Sequence, residues 1–78
     1  MLEFSTMKQD IIIQFKKRLK ALREEYGYTQ EQLSELSGID YKHIQKLESL
    51  KIHLDIKLTT IEKLAKAFKL SVAEFLEF

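Results

Sequence analysis

Residues 41–46, "YKHIQK", set Tyr41, Lys42, His43, Gln45 and Lys46 around a single apolar residue, Ile44. These side chains donate and accept hydrogen bonds or carry positive charge, so together they suit non-covalent recognition. Covalent chemistry has no comparable signature. The serines fall mostly at caps and small-residue sites, and neither a glycine-rich phosphate loop nor a nucleophile elbow occurs. His43 and His53 lie on different elements, with no cysteine and no close carboxylate pair at ligand spacing. No enzyme activity, metal, cofactor or small-molecule ligand is therefore expected, and His43 reads as a polar helix residue and His53 as a loop residue.

Charge bears on what could be recognised. The net charge is only +1, which announces no polyanion partner. Its distribution says more. Lys8, Lys16, Lys17, Arg18, Lys20 and Arg23 make the first third basic, and Glu24, Glu25, Glu31, Glu35 and Asp40 follow as an acidic block. Lys42, Lys46, Lys51 and Lys57 restore a basic stretch. Charge runs are ordinarily solvated helix faces, but for phosphate contact a local patch matters more than the total.

The elements that must position these residues follow from periodicity. One domain over residues 1–78 is expected. A chain this short buries only about 60% of its extended surface, so its core must be well patterned. Proline is absent and glycine occurs only twice, and apolar residues recur at helical spacing. The first helix is predicted from about Lys8 to Tyr26, with Ile12, Phe15, Leu19, Leu22 and Tyr26 as its inward stripe and Gly27 as its stop. Thr29 opens the second through a capping box with Gln32, and that helix turns Leu33 and Leu36 inward and runs to about Ser37. Asp40 caps the third, which runs to about Leu50 with Ile44 and Leu47 inward. The fourth opens at Thr59 or Thr60 through a box of Thr59 with Glu62, burying Ile61, Leu64, Ala65 and Phe68. The fifth opens at Ser71 through a box with Glu74 and shows Val72, Phe75 and Leu76. "KIHLDIKL", Lys51 to Leu58, alternates apolar and polar and could be extended; it is taken as a loop with Ile52, Leu54, Ile56 or Leu58 against the core. Residues 1–7 read as a flexible arm, with Leu2 and Phe4 alternatively packing on a neighbour. Charges interrupt every apolar run, no signal peptide is visible, and a cytoplasmic address is expected with no membrane partner.

Only Gly38 and Ile39 separate the second and third helices, with Ser37 and Asp40 at the ends. Such a turn commonly joins two helices at about 90–120°, the helix-turn-helix, though a plain helical hairpin fits as well. Ser34 and Ser37 are short enough for close approach, and Ile39 plugs the junction. "TQEQLSELSGIDYKHIQKLES" resembles the helix-turn-helix of the phage-repressor-like, Cro/C1-type (XRE) regulators. The likeness extends back through "FKKRLKALREEYGYTQ" and forward through "LTTIEKLAKAF", covering Phe15 to Phe78. Its most specific part is the combination of Thr29-Gln30, Leu33, Gly38, Ile44, Glu48 and Leu64-Ala65 at these spacings.

The resemblance implies an all-α, five-helix, lambda-repressor-like domain that binds double-stranded DNA, usually as a homodimer on a palindromic operator. It implies base contacts from Tyr41, Lys42 and Lys46, a phosphate contact from Gln30, and His43 and Gln45 at the groove wall or backbone. Gly38 is the structural turn residue. Glu48 is structural too, fastening the motif to a basic residue of the first helix, for which Arg18 is the candidate. The chain departs from the family pattern at Ser34 and Ser37, where alanine is frequent, at Leu50, where glycine is frequent, and in a longer third loop without proline. An α-helix fits the major groove of B-DNA, about 12 Å wide, where Lys can donate to guanine and Gln can pair with adenine. Lys16, Lys17, Lys20, Lys51 and Lys57 are the expected phosphate contacts, which position without specifying. Phe75, Leu76 and Phe78 are more apolar surface than the core needs and are assigned to a dimer interface, the alternative being a core role for Phe75 and Leu76 and a frayed Phe78. Two functions follow: a sequence-specific DNA-binding regulator acting by operator occupancy, or a protein-interaction module on the same scaffold.

Overall fold

The computed structural model describes the backbone of residues 4–78 and the side chains from Ile11 onward. Within these residues the chain is all-helical: α1 (Phe4–Glu25), α2 (Gln30–Ser37), α3 (Tyr41–Glu48), α4 (Leu58–Ala67) and α5 (Val72–Phe75). The helix starts at Phe4, so the arm expected over residues 1–7 is helical in its second part. Residues 1–3, and the suggested packing of Leu2 and Phe4, lie outside what is described.

Each start and stop has a local cause. Thr29 forms the expected capping box: its Oγ1 accepts from the Gln32 amide at 3.0 Å, and Gln32 Oε1 accepts from the Thr29 amide at 2.8 Å. Ser71 and Glu74 form the same pair of bonds at 3.0 and 2.8 Å. Asp40 caps α3 by accepting from the Lys42 amide at 3.0 Å. The box expected at Thr59 does not form; α4 begins at Leu58 with Lys57 as an N-cap that makes no side-chain bond. Leu54 and Ile56 pack on the core two residues apart, as an extended segment allows, and that anchorage sets where the chain turns into α4. Ile52 and Leu58 point outward, Leu58 at 77% exposure.

Gly27 ends α1 in a left-handed conformation, φ +74°, so the Tyr28 amide reaches the Arg23 carbonyl at 3.0 Å and the Gly27 amide reaches Glu24 at 3.1 Å. The end of α4 has the same two-bond pattern, Leu70 to Ala65 and Lys69 to Lys66, both 2.9 Å, but a lysine holds the left-handed position at φ +59°.

The core gathers Phe15, Leu19 and Leu22 of α1, Leu33, Ile39, Ile44 and Leu47 of the central pair, and Ile61, Leu64, Ala65, Ala67 and Phe68 of α4. Phe75 joins them at 0% exposure, its ring 5.5 Å from Phe15 and 6.2 Å from Phe68. The dimer role expected for Phe75 is therefore corrected: an α5 of 4 residues has one inward position, and Phe75 takes it, leaving Val72, Leu76 and Phe78 at the surface. Leu36 is corrected likewise. With 100° between successive residues, Leu33 and Ser37 share the inner face of α2 while Leu36 swings to the rim, 54% exposed.

The left-handed positions give the first test. Gly38 has φ +74° and open space where a Cβ would stand, so Gly38→Ala should cost about 1 kcal/mol of unfolding free energy from backbone strain alone. Lys69→Gly should gain about 0.5–1 kcal/mol by relieving the same strain. Urea titrations of both variants check the opposite signs.

Candidate nucleic-acid interface

α3 has only 8 residues, and its inner side chains Ile44 and Leu47 are fully buried. That fixes which face is left. Tyr41, Lys42, His43, Gln45 and Lys46 are all exposed, so the sequence's hydrogen-bonding stretch is the solvent face of one braced helix. Gln45 Nε2 donates to the Tyr41 hydroxyl at 3.2 Å, one turn apart, which aligns two of these groups along the face.

The turn into α3 is tied by short side chains. Ser34 Oγ donates to the Ile39 carbonyl, and the Ile39 amide donates to Ser37 Oγ at 3.2 Å. Both serines thus add specific bonds to the close approach expected of them. The far end of α3 is held by Glu48, 9% exposed. Arg23 Nε donates to its Oε2 at 2.7 Å and Arg23 Nη2 to its Oε1 at 3.1 Å, the two-pronged geometry that suits guanidinium and carboxylate. Gln30 Nε2 adds a third bond to Oε1 at 3.0 Å, and Arg23 Nη1 donates to the Tyr28 carbonyl at 2.8 Å. One carboxylate therefore joins α1, the start of α2 and the end of α3. The hydrogen bond to Glu48 raises the Arg23 guanidinium further above its already high value, so it stays charged.

Arg23, not Arg18, is the partner of Glu48. Arg18 is one and a half turns earlier and donates instead to the carbonyls of Phe75 at 2.9 Å and Glu74 at 2.8 Å, closing the end of α5. A sequence signal for Arg23 existed: it lies in the last turn of α1, beside the Gly27 stop and the start of α2. Lys16 is also reassigned. It is 2% exposed, and its Nζ donates to the Lys46 carbonyl at 2.8 Å at the end of α3, so it is turned away from any phosphate. Desolvation pushes its ammonium below the ordinary lysine value. Lys17, Lys20, Lys51 and Lys57 are exposed.

Two openings flank α3. On one side Lys20, Gln30 and Gln45 line a hollow of ≈ 410 Å³ with the Arg23–Glu48 pair at its floor. Gln30 is half-buried, its amide nitrogen committed to Glu48, and it also borders Tyr41 across a neighbouring hollow. On the other side His43 and Lys57 line a cleft of ≈ 300 Å³ together with Asp40, Asp55 and Lys63. The face thus unites Tyr41, Lys42, Gln45 and Lys46, with Gln30 and Lys20 on one flank and His43 and Lys57 on the other. Tyr26 and Tyr28 serve packing: Tyr26 Oη donates to the Phe68 carbonyl at 3.1 Å, and Tyr28, which borders the hollow beside Gln30 and Tyr41, stacks its ring on Phe68 at 5.9 Å.

A family profile described as helix-turn-helix matches residues 19–75. The HTH-type transcriptional regulators PuuR of Escherichia coli and of Shigella flexneri are each 37% identical over 59 residues, which is 76% of this chain and 31% of theirs. The chain thus spans about a third of the length of the curated relatives it matches. The crystal structure of the restriction-modification controller protein C.AhdI from Aeromonas hydrophila superposes with a TM-score of 0.73 at 33% identity, covering 82% of this chain and 94% of that one.

Removing one partner of the clamp should be costly. Arg23→Met should lower unfolding free energy by about 3 kcal/mol, because it leaves the Glu48 carboxylate enclosed without its cation; chemical denaturation at neutral pH reads this. Lys16 predicts a pH effect. Its folded-state pKa lies below the unfolded 10.5, so the unfolded chain holds the extra proton between the two values and stability rises as pH climbs through that window toward 10.5. Lys16→Met should lack that rise, as seen by comparing the two proteins' denaturation midpoints across alkaline pH.

Proposed function

The chain belongs to the helix-turn-helix family of Cro/C1-type regulators, and on that basis we propose that it binds double-stranded DNA sequence-specifically and regulates transcription by occupying an operator. The observation that carries this reading is the division of α3. Its inner side chains are wholly buried and its last turn is clamped, while Tyr41, Lys42, Gln45 and Lys46 stand free along one edge. A single helix fits the major groove in that attitude. Lys42 and Lys46 offer donors for guanine, and Tyr41 offers a hydroxyl to phosphate or a ring to a thymine methyl. Lys17 and Lys20 on one side and Lys51 and Lys57 on the other supply phosphate contacts.

Residues 1–78 act as one domain in this reading, in the cytoplasm. No helix among the described residues is long and apolar enough to cross a membrane. The working form is a homodimer: Leu76 and Phe78, with Val72 beside them, are the exposed apolar residues of the carboxyl end. Two copies would place their α3 helices on half-sites of a palindrome about 34 Å apart. The second reading, a protein-interaction module, draws on the net charge of +1 and on cations that face inward, Lys16, Arg18 and Arg23.

The experiment that separates the two is a salt titration of binding to a selected duplex. DNA binding should weaken with a log–log slope of about −0.9 per neutralised phosphate; no binding to any duplex, or a flat response, would leave the interaction module. Lys42→Ala and Lys46→Ala should each weaken the preferred site by about 1–3 kcal/mol and relax base preference. Lys17→Ala should weaken all duplexes alike and reduce the salt slope by about one contact. Gel-shift or fluorescence anisotropy against matched and shuffled duplexes measures all three.

A further inference from the structure

We propose that Lys16 is a positioning residue for sequence reading: its buried side chain, donating to the Lys46 carbonyl, sets the tilt at which α3 presents its outer edge. The inference rests on the DNA-binding reading above and adds to it a residue that touches no DNA.

The Glu48 clamp alone cannot fix an axis. It pins the last residue of α3 to Arg23 and Gln30, and a helix pinned at one point can still pivot about it. Lys16 supplies a second point on the same turn. It leaves α1 beside Phe15 and Leu19, about 10 Å from Arg23 along the helix at the usual rise per residue, and reaches the carbonyl two residues before Glu48. The Lys46 carbonyl also accepts the Ser49 amide at 3.3 Å, so the Lys16 bond completes the capping of an end where the helix dipole is negative. An apolar side chain of similar length would fill the position without burying a charge. What the ammonium adds is direction, a bond to one named carbonyl. That carbonyl belongs to Lys46, whose own side chain is exposed. A shift of α3 at this turn moves Lys46 and Gln45 against the bases, where hydrogen bonds weaken steeply outside their normal range.

A positioning role differs in its readout from a phosphate contact and from simple packing. The quantity to measure is the ratio of affinities for the preferred duplex and for a shuffled one, with the folded fraction monitored by circular dichroism. The wild-type ratio comes first, and a ratio of unity ends both this proposal and the DNA reading it rests on. Given a wild-type preference, Lys16→Met should lower the ratio about tenfold while affinity for the shuffled duplex stays the same. The chain has no cysteine, so Lys16→Cys can be aminoethylated selectively in denaturant and refolded, restoring an amine of near-native length. That product should regain the wild-type ratio. An unchanged ratio in Lys16→Met overturns the proposal, as do equal losses on both duplexes or an aminoethylated protein no better than the unmodified cysteine variant. Should the substituted chains fail to fold, NMR of the wild-type lysine ammonium groups decides. A Lys16 signal in slow exchange with water and unmoved by duplex, while Lys17 and Lys20 respond, supports the inference. A Lys16 signal that exchanges as fast as theirs, or shifts with them, refutes it.

Discussion

An 8-residue helix is too short to hold its shape in water, so what α3 can do depends on what holds its ends. The buried Glu48 carboxylate is the constraint from which the rest follows. Three nitrogen atoms of Arg23 and Gln30 converge on it, and the same guanidinium closes the junction after α1 through the Tyr28 carbonyl. The result is a rigid corner in which α1, α2 and α3 meet. That corner, the burial of Ile44 and Leu47 in the core and the Lys16 bond to the Lys46 carbonyl together set how the outer edge of α3 stands relative to the body. Burying such a pair is a weak source of net stability, since desolvation offsets much of the attraction. Its value here is geometric.

The basic first third of the chain takes on a different meaning in this light. Lys16 closes the end of α3, Arg18 the end of α5, and Arg23 the corner between α1 and α2. Lys16 and Arg18 bring a cation to carbonyls at a helix end, and Arg23 brings one to a loop carbonyl beside the Glu48 carboxylate. α1 therefore works as a spine whose charges fasten the shorter helices, and the charges left for a polyanion are those on its outer side and around α3. This reconciles a net charge of +1 with a nucleic-acid surface: the relevant field is local.

Much of this was legible in the residues. The left-handed Gly38, the caps at Thr29, Asp40 and Ser71, and the inward set of α4 all follow from local rules, because a cap or a stripe is decided within a few neighbouring residues. The exposure of residues 41–43 and 45–46 follows once Ile44 is inward. What was not legible depends on tertiary distance. Periodicity places Lys16 next to the core stripe but cannot say that a carbonyl of α3 lies within its reach. It cannot choose between Arg18 and Arg23 for Glu48, because that choice depends on where the corner closes. In α5 a single turn is too short for periodicity to separate Phe75 from Leu76, and only the aromatic cluster with Phe15 and Phe68 decides. The start of α4 moved because the Leu54 and Ile56 anchors, and not the Thr59 cap, govern it.

The most direct measurement is backbone amide shift mapping of the isotopically labelled protein as a selected duplex is added. The largest changes are expected at Tyr41, Lys42, Gln45 and Lys46, smaller ones at Gln30, Lys17, Lys20 and Lys57, and none along the acidic run of Glu24, Glu25 and Glu35. Changes that avoid α3, or that centre on the acidic run, would contradict the DNA-reading role of α3.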